Sequence, residues 1–273
     1  MPHAVGFIPA RFDSSRFPGK PLASLDGRPL IQHVWERVVR ADRLERVFVA
    51  TDDERIRDAV AGFGGEAIMT SRDHLTGTDR VGEAVRRAEA GGQTIDFVLN
   101  VQGDEPLLRP ADLDTMVEAL ESDPGLNYVT LAEPFADPEE LLDPGTCKVV
   151  MDRSGNALYF SRSPVPFFRA TGAAAGIAPL AESLAGRGDP LAGYRRHVGI
   201  YGFRRPALDA FAAMERGRLE EMEGLEQLRI LEAGEKIRVV VSRHVTMDVD
   251  TPEDLSRVRT RLEEERLVPK EGG

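Results

Sequence analysis

Along the first 120 residues, short apolar runs alternate with stretches in which apolar residues recur every three or four positions. The compact runs predict strands and the longer period predicts helices. Val5–Ile8 is the first strand, with Arg46–Ala50 and Phe97–Val101 after it. Leu30, Ile31, Val34, Val38 and Val39 predict a helix with Pro29 at its first position, and Ile56, Ala59, Val60 and Phe63 predict another, closed by Gly64–Gly65. A third helix runs to Ala90 with Thr78 or Asp79 as its cap, and a fourth covers Pro110–Leu120. Strand, helix and strand in repetition imply a parallel sheet covered on both faces.

Beyond about residue 125 the connections shorten. Tyr128–Ala132, Cys147–Asp152 and Ala157–Phe160 read as strands, the last two joined by a hairpin turn at Arg153–Asn156, which suggests an antiparallel addition. Arg169–Gly193 is rich in Ala and Gly without a sustained period, and reads as a surface loop and candidate lid. Val198–Phe203 is a strand and Pro206–Glu215 a helix. Leu219–Ala233 is read as one further helix, with Glu226 and Gln227 beside the stripe of Met222, Leu225, Leu228 and Leu231. Ile237–Ser242 returns to strand, and Thr251-Pro252-Glu253-Asp254 starts a helix with Thr as N-cap, Pro at N1 and Asp at N3. With no internal repeat and no clean linker, residues 1–273 read as a single α/β domain in which roughly 128–204 contribute a smaller lobe.

Composition narrows the function classes. The 273 residues are 41% hydrophobic and 30% charged, ordinary values that set aside disordered, collagen-like and coiled-coil readings. Forty-six acids against thirty-five bases give a net charge of −11, so phosphate backbones and anionic membranes are repelled and any anionic ligand needs a local cluster of bases. Nucleic acid and membrane are therefore not expected partners. The single cysteine, Cys147, offers neither an internal disulfide nor a cysteine zinc site, and the N-terminus lacks a signal-peptide pattern, which together predict a cytoplasmic protein.

Four segments carry candidate chemistry. Pro9–Pro21, leaving the first strand, holds Arg11, Arg16 and Lys20, which could converge on a polyphosphate at the carboxyl edge of the sheet. It fits neither the phosphate-loop nor the dinucleotide glycine pattern, and a solvated basic loop is the competing reading. Asn100-Val101-Gln102-Gly103-Asp104-Glu105-Pro106 and Met247-Asp248-Val249-Asp250 place acids beyond two further strands; Asp104 with Asp250 suits Mg²⁺, while turn or capping acids are the alternative. Thr76-Gly77-Thr78-Asp79-Arg80 enters a helix and reads equally well as a nucleoside contact or an ordinary cap. His197 and Tyr201, four apart at a strand start, are expected on one face, where a lone histidine is more often structural. Glu226 and Gln227 are either functional or the edge of their helix.

Ile8-Pro9-Ala10-Arg11-Phe12-Asp13-Ser14-Ser15-Arg16-Phe17-Pro18-Gly19-Lys20-Pro21-Leu22, Asn100–Pro106, Arg196-His197-Val198-Gly199-Ile200-Tyr201-Gly202 and Val249–Leu255 together closely resemble the 3-deoxy-manno-octulosonate cytidylyltransferases, also called CMP-Kdo synthetases. The likeness runs from about Val5 to Arg261. Sialic-acid cytidylyltransferases differ in the first loop and lack the Gln-Gly-Asp-Glu-Pro form. The resemblance implies a nucleotide-diphospho-sugar-transferase-like three-layer sandwich with a mostly parallel central sheet and a smaller antiparallel lobe for sugar binding and dimerisation. It also implies Mg²⁺-dependent transfer of CMP from CTP to the anomeric hydroxyl of Kdo, releasing pyrophosphate, in a homodimer supplying lipopolysaccharide or capsule. Matched position by position, Lys20, Arg11, Asp104 and Asp250 would be catalytic, with both aspartates on the metal. Arg11, Arg16, Lys20, Gly77, Thr78, Arg80 and Gln102 would hold the nucleotide, and Arg162, His197, Tyr201, Glu226 and Gln227 the sugar acid. Val165-Pro166-Phe167 departs from the family's usual isoleucine-proline-tryptophan, and Asp248 stands where many relatives have a small residue. The alternatives are CTP-dependent activation of 8-amino-Kdo or a nonulosonic acid, and a nucleotide-binding regulator without catalysis.

Overall fold

The computed structural model describes residues 2–13, 16–167, 191 and 193–267. Residues 169–190, most of the candidate lid, lie outside them. The chain divides into two compact units, Met1–Val117 with Thr246–Gly273, and Glu118–Val245.

The first unit begins with β1 (Ala4–Ala10), a single 3₁₀ turn (Lys20–Leu22) and a two-stranded antiparallel ribbon of β2 (Ser24–Leu25) and β3 (Arg28–Pro29). It continues through α1 (Leu30–Val38), β4 (Arg46–Thr51), α2 (Glu54–Gly62), β5 (Glu66–Met69), α3 (Gly77–Ala90) and β6 (Phe97–Asn100) to the start of α4 (Pro110–Ser122). The strands lie in the order β6, β1, β4, β5, all parallel. Six of the seven residues of β1 are buried without alternation, the pattern of a strand covered on both faces. Phe7 faces Phe48 on β4, their rings stacked at 5.6 Å. Burying a side chain of this size contributes roughly 1.5–3 kcal/mol. Pro29 precedes α1 as its N-cap, and the helix turns Leu30, Ile31, Val34 and Val38 inward.

The cap of α3 differs from the expected one. Thr76, in extended backbone, accepts from Asp79 N at 3.1 Å while the Asp79 carboxylate accepts from Thr76 N at 3.3 Å, a reciprocal capping box. Thr78 and Asp79 are therefore inside the helix. Two threonines and an aspartate within four residues offered several caps, and the Thr-x-x-Asp spacing decides among them.

The last segment returns to this unit. Thr251 and Asp254 cap α9 (Pro252–Leu267) as expected, with Thr251 Oγ1 accepting from Asp254 N and Thr251 N donating to Asp254. Val249, Val258 and Leu262 complete a cluster with Leu25, Leu30 and Leu107.

The second unit holds β7 (Tyr128–Glu133), α5 (Pro138–Leu142), β8 (Lys148–Met151), β9 (Ala157–Ser161), β10 (Arg196–Arg204), α6 (Arg205–Ala213), α7 (Arg218–Glu223), α8 (Leu228–Glu232) and β11 (Ile237–Val241). β10 runs antiparallel to β7 and β8, β8 antiparallel to β9, and β11 parallel to β7. The β8–β9 turn forms at the predicted place, Asp152 accepting from Ser154 N and Asn156 N. The helix predicted over Leu219–Ala233 is two helices. Gly224 adopts φ +65°, a left-handed conformation that ends α7, so Glu226 and Gln227 lie in a turn rather than on a helix face. The apolar stripe spans this break, which is why spacing alone read it as continuous.

Candidate active site

In the first unit, the loops leaving β1 and β6, the approach to α3 and the segment before α9 enclose a cavity of about 260 Å³; Met247–Asp250, read from sequence as a strand end, is irregular. Parallel sheets bind ligands beyond the carboxyl ends of their strands, and this cavity lies there. Arg11, Arg16, Lys20, Gly77, Arg80, Gln102, Asp104 and Asp250 line it. Thr78 does not; it is buried, its hydroxyl accepting from Asn100 Nδ2 at 3.1 Å.

Two glycines permit the geometry. Gly19, at φ +72°, sits where a Cβ would come within 3.0 Å of the Phe12 ring, and its N–H closes the loop on Phe12 O at 2.8 Å. The Phe12 ring also carries Arg55, whose guanidinium carbon lies 3.4 Å from the ring centroid. A Cβ on Gly103 would approach Pro9 O to 3.0 Å, so only glycine lets the β6 loop close against the end of β1 and deliver Gln102 and Asp104.

Lys20 lies between two acids. Its Nζ donates to Asp104 Oδ2 at 2.5 Å and to Asp250 Oδ1 at 3.1 Å, and Arg16 Nη1 reaches Asp250 Oδ2 at 2.9 Å. Val249 N donates to Asp104 O at 2.9 Å, which ties the two acid-bearing segments together. Burial pulls the Lys20 ammonium down, but Asp104 and Asp250 outweigh it and raise its pKa above the ordinary lysine value. Burial raises the Asp104 pKa, with Asp248 and Asp250 adding to the rise and Lys20 opposing it. Asp248, left open by sequence, is thus a charge neighbour of Asp104.

This donor set fits a hard divalent cation. Two carboxylates converge on a single point, now occupied by an ammonium nitrogen. Among the described residues no group of three or more His, Cys, Asp or Glu could hold a metal. Mg²⁺ typically takes one or two carboxylates and completes its shell with water and substrate phosphate, so the pair suffices.

Arg80, on the same cavity, is buried and held by polar partners. It pairs with Asp52 at 3.3 Å and donates to Thr70 Oγ1 at 2.6 Å and Ser71 O at 3.2 Å. Burial, then repulsion from the exposed Arg11, draws its pKa below the usual arginine value. Two cations gathered against this cost favour an anion between them.

His74, Leu75 and Thr76 also line the cavity and were not singled out from sequence. His74 Nε2 meets Glu83 at 2.5 Å, and Glu83 also accepts from Ser71 N and Arg87 Nε, each at 2.8 Å. Burial would raise the Glu83 pKa, but these three donors hold it at about 2. Because the folded value lies below the unfolded one, the stabilisation is present above about pH 4.5 and lost as pH falls toward 2, amounting to about 3 kcal/mol. Glu83→Gln should therefore lower stability at pH 7 by about 2–3 kcal/mol and flatten the acid limb of thermal melts between those values. An acid limb identical to that of the native protein would remove Glu83 from this role.

The sugar-side candidates lie in the second unit. His197 and Tyr201 rings sit 5.5 Å apart, Tyr201 Oη donates to Gln227 Oε1 at 3.0 Å, and Gln227 Nε2 lies 3.8 Å from Cys147 Sγ. Burial holds His197 neutral with a pKa of about 3, and burial with Glu226 pushes the Tyr201 hydroxyl well above 10, so it stays a donor. Glu226 thus neighbours this cluster. Arg162 is bound to main chain: Nε donates to Glu223 O at 2.7 Å, Nη1 to Pro144 O and Gly145 O at 3.0 and 3.3 Å, and Nη2 to Gly224 O at 3.4 Å. It holds the turn before Glu226 against the segment before β8. Lys148, fully buried, donates to Asp143 O, Thr146 O and Arg162 O, fastening the same region from within.

Among the described residues no helix is long and apolar enough to cross a membrane. Residues 5–237 match the cytidylyltransferase family. A 3-deoxy-manno-octulosonate cytidylyltransferase of Syntrophobacter fumaroxidans is 48% identical over 254 residues, covering 93% of this chain and 94% of that protein. An 8-amino-3,8-dideoxy-manno-octulosonate cytidylyltransferase of a Shewanella species (strain ANA-3) is 44% identical over 256 residues, covering 93% and 96%. Among solved structures, a CMP:2-keto-3-deoxy-manno-octonic acid synthetase complexed with CTP superposes with a TM-score of 0.82 at 40% identity, over 96% of this chain and 99% of that one. With the resembling motifs in order along the chain and likeness over nearly its full length, the chain belongs to the cytidylyltransferases, in the 3-deoxy-manno-octulosonate cytidylyltransferase family.

Proposed function

We propose that the protein transfers CMP from CTP to the anomeric hydroxyl of Kdo and releases pyrophosphate, with its triphosphate site in the cavity of the first unit. The observation that carries this reading is the meeting of Lys20, Asp104 and Asp250 at one point, with Arg11 and Arg16 on the same cavity. A displacement at phosphorus needs alignment and charge neutralisation more than covalent chemistry by the protein. Arg11, Arg16 and Lys20 bind and orient the phosphates, Lys20 neutralising charge that develops on the transferring group. Gly77 and Arg80 shape the cytidine side, and Gln102 adds a polar group to the nucleotide cavity. Asp104 and Asp250 would hold Mg²⁺, which when bound supplies Lewis-acid polarisation of the phosphoryl oxygens and a lower pKa for the attacking hydroxyl. Tyr201, Gln227, Glu226 and His197 offer the hydrogen-bonding groups that a polyhydroxylated acid requires, with Arg162 bracing them.

We further read residues 128–204 as the sugar-binding and dimerisation lobe of a cytoplasmic homodimer. Leu158 on β9 and Phe167 are exposed there and supply apolar surface for a second copy. Pyrophosphate release with CTP and Mg²⁺ across Kdo, 8-amino-Kdo and sialic acid tests the substrate. Turnover with Kdo is expected; release with sialic acid alone would overturn the reading. The 8-amino sugar is the second candidate, because a relative 44% identical carries that name.

A further inference from the structure

The sugar-side histidine is held by a residue that no motif singled out. In the β10–β7 ladder Val198 lies opposite Leu131 and Tyr201 opposite Thr130, so Gly199 and Ile200 are two extra residues on β10. A bulge of this kind takes main-chain groups out of the ladder. It also explains how His197 and Tyr201, which a regular strand would space about 13 Å apart, bring their rings to 5.5 Å. The Ile200 carbonyl oxygen lies 2.8 Å from Thr130 Oγ1, and His197 Nε2 lies 2.9 Å from the same hydroxyl oxygen. Thr130 is completely buried.

The hydrogen count then decides the histidine. A hydroxyl carries one hydrogen, and a carbonyl oxygen can only accept. The Thr130 hydrogen goes to Ile200 O, because two acceptor oxygens would otherwise face each other at 2.8 Å in a buried site. Thr130 Oγ1 is left as an acceptor toward His197, whose Nε2 must carry a hydrogen. The ring is neutral at physiological pH, since burial, and then Arg196, hold its pKa down at about 3. A neutral imidazole with hydrogen on Nε2 has only a lone pair on Nδ1.

We propose that Thr130 is a positioning residue that locks His197 as the Nε2–H tautomer, so that His197 meets the sugar acid as an acceptor of a hydroxyl hydrogen and not as a donor to its carboxylate. The second half rests on the sugar-side reading of His197; the tautomer does not. The bulge, the buried threonine and the histidine act as one device: the displaced carbonyl takes the threonine hydrogen, and this sets which ring nitrogen reads the ligand.

Long-range ¹H–¹⁵N correlation spectra of the ¹⁵N-histidine-labelled native protein at pH 7 should give His197 a pyrrole-like Nε2 and a pyridine-like Nδ1. A pyrrole-like Nδ1, or a doubly protonated ring, overturns the proposal without reference to any substrate. Thr130→Ser should keep the native tautomer and the native KM values. Thr130→Val should shift the tautomer signals and raise the KM for the sugar acid about tenfold while leaving the KM for CTP unchanged, the expected loss when one buried partner is removed. Unchanged signals in Thr130→Val overturn the lock, and altered signals with an unchanged sugar-acid KM overturn its link to the sugar.

Discussion

Asp104→Asn lowers pyrophosphate release with CTP and Kdo by roughly a thousandfold or more, about 4 kcal/mol of transition-state stabilisation, while the fold is kept. Asparagine preserves the shape of the side chain, and the hydrogen bond from Val249 N is to the Asp104 main chain, so the tie to the Asp250 segment survives. What is lost is one of the two carboxylates that converge on Lys20. Asp250→Asn should behave alike, and the double variant should be little worse than either, because residues acting as a unit do not contribute additively. Turnover in Asp104→Asn within tenfold of the native protein would take Asp104 out of the metal site.

Lys20→Met separates two roles that the ammonium group combines. Turnover should again fall by about three orders of magnitude if, as proposed, this ammonium neutralises the developing charge. Mg²⁺ binding to the nucleotide-free protein should, in contrast, tighten. In the native protein Lys20 Nζ stands between Asp104 and Asp250 at 2.5 and 3.1 Å, occupying the point where their oxygens converge. Removing it leaves those acids, with Asp248 close by, without that counter-charge. Isothermal titration with Mg²⁺ reads this directly, and weaker binding in Lys20→Met would contradict a metal position shared with the ammonium.

Much of the first unit was legible because its strands are continuous apolar runs and its helices show clear spacing; β1 and β6 are buried along nearly their whole length. The Thr251–Asp254 cap was legible for the same reason, a local hydrogen-bond pattern written in four residues. Where several local solutions compete, sequence misplaces the detail, as with Thr76 against Thr78 and Asp79. The break at Gly224 escaped because hydrophobic spacing ran through it, although the glycine itself was the available signal. Long-range partnerships are a different matter. Lys20 finds Asp104 and Asp250 across 84 and 230 positions, a meeting that no local rule contains; the strand-end rule placed all three at one edge of the sheet and paired the two acids, and resemblance to a family assigned their roles, but neither foresaw the ammonium between the carboxylates. His74 and Glu83 could have been suspected from their place beside the Thr76–Arg80 segment. Thr130 could not, because an inward threonine in an apolar strand looks like any other until the bulge opposite it is seen.

The return of residues 246–267 to the first unit has a consequence for how the enzyme comes into being. During synthesis the strands that supply Lys20 and Asp104 emerge early, and the whole of the second unit follows before Asp250 is made. Domains generally fold in the order they leave the ribosome. A nascent chain that extends past Asp104 but not yet to Val249 therefore has its basic loop and one acid in hand but lacks the second, as well as the Val249, Val258 and Leu262 side chains that complete the cluster with Leu25, Leu30 and Leu107. If Asp250 holds the metal as proposed, catalytic competence waits on the segment that follows the second unit, and a chain that stalls anywhere in that unit is released inactive.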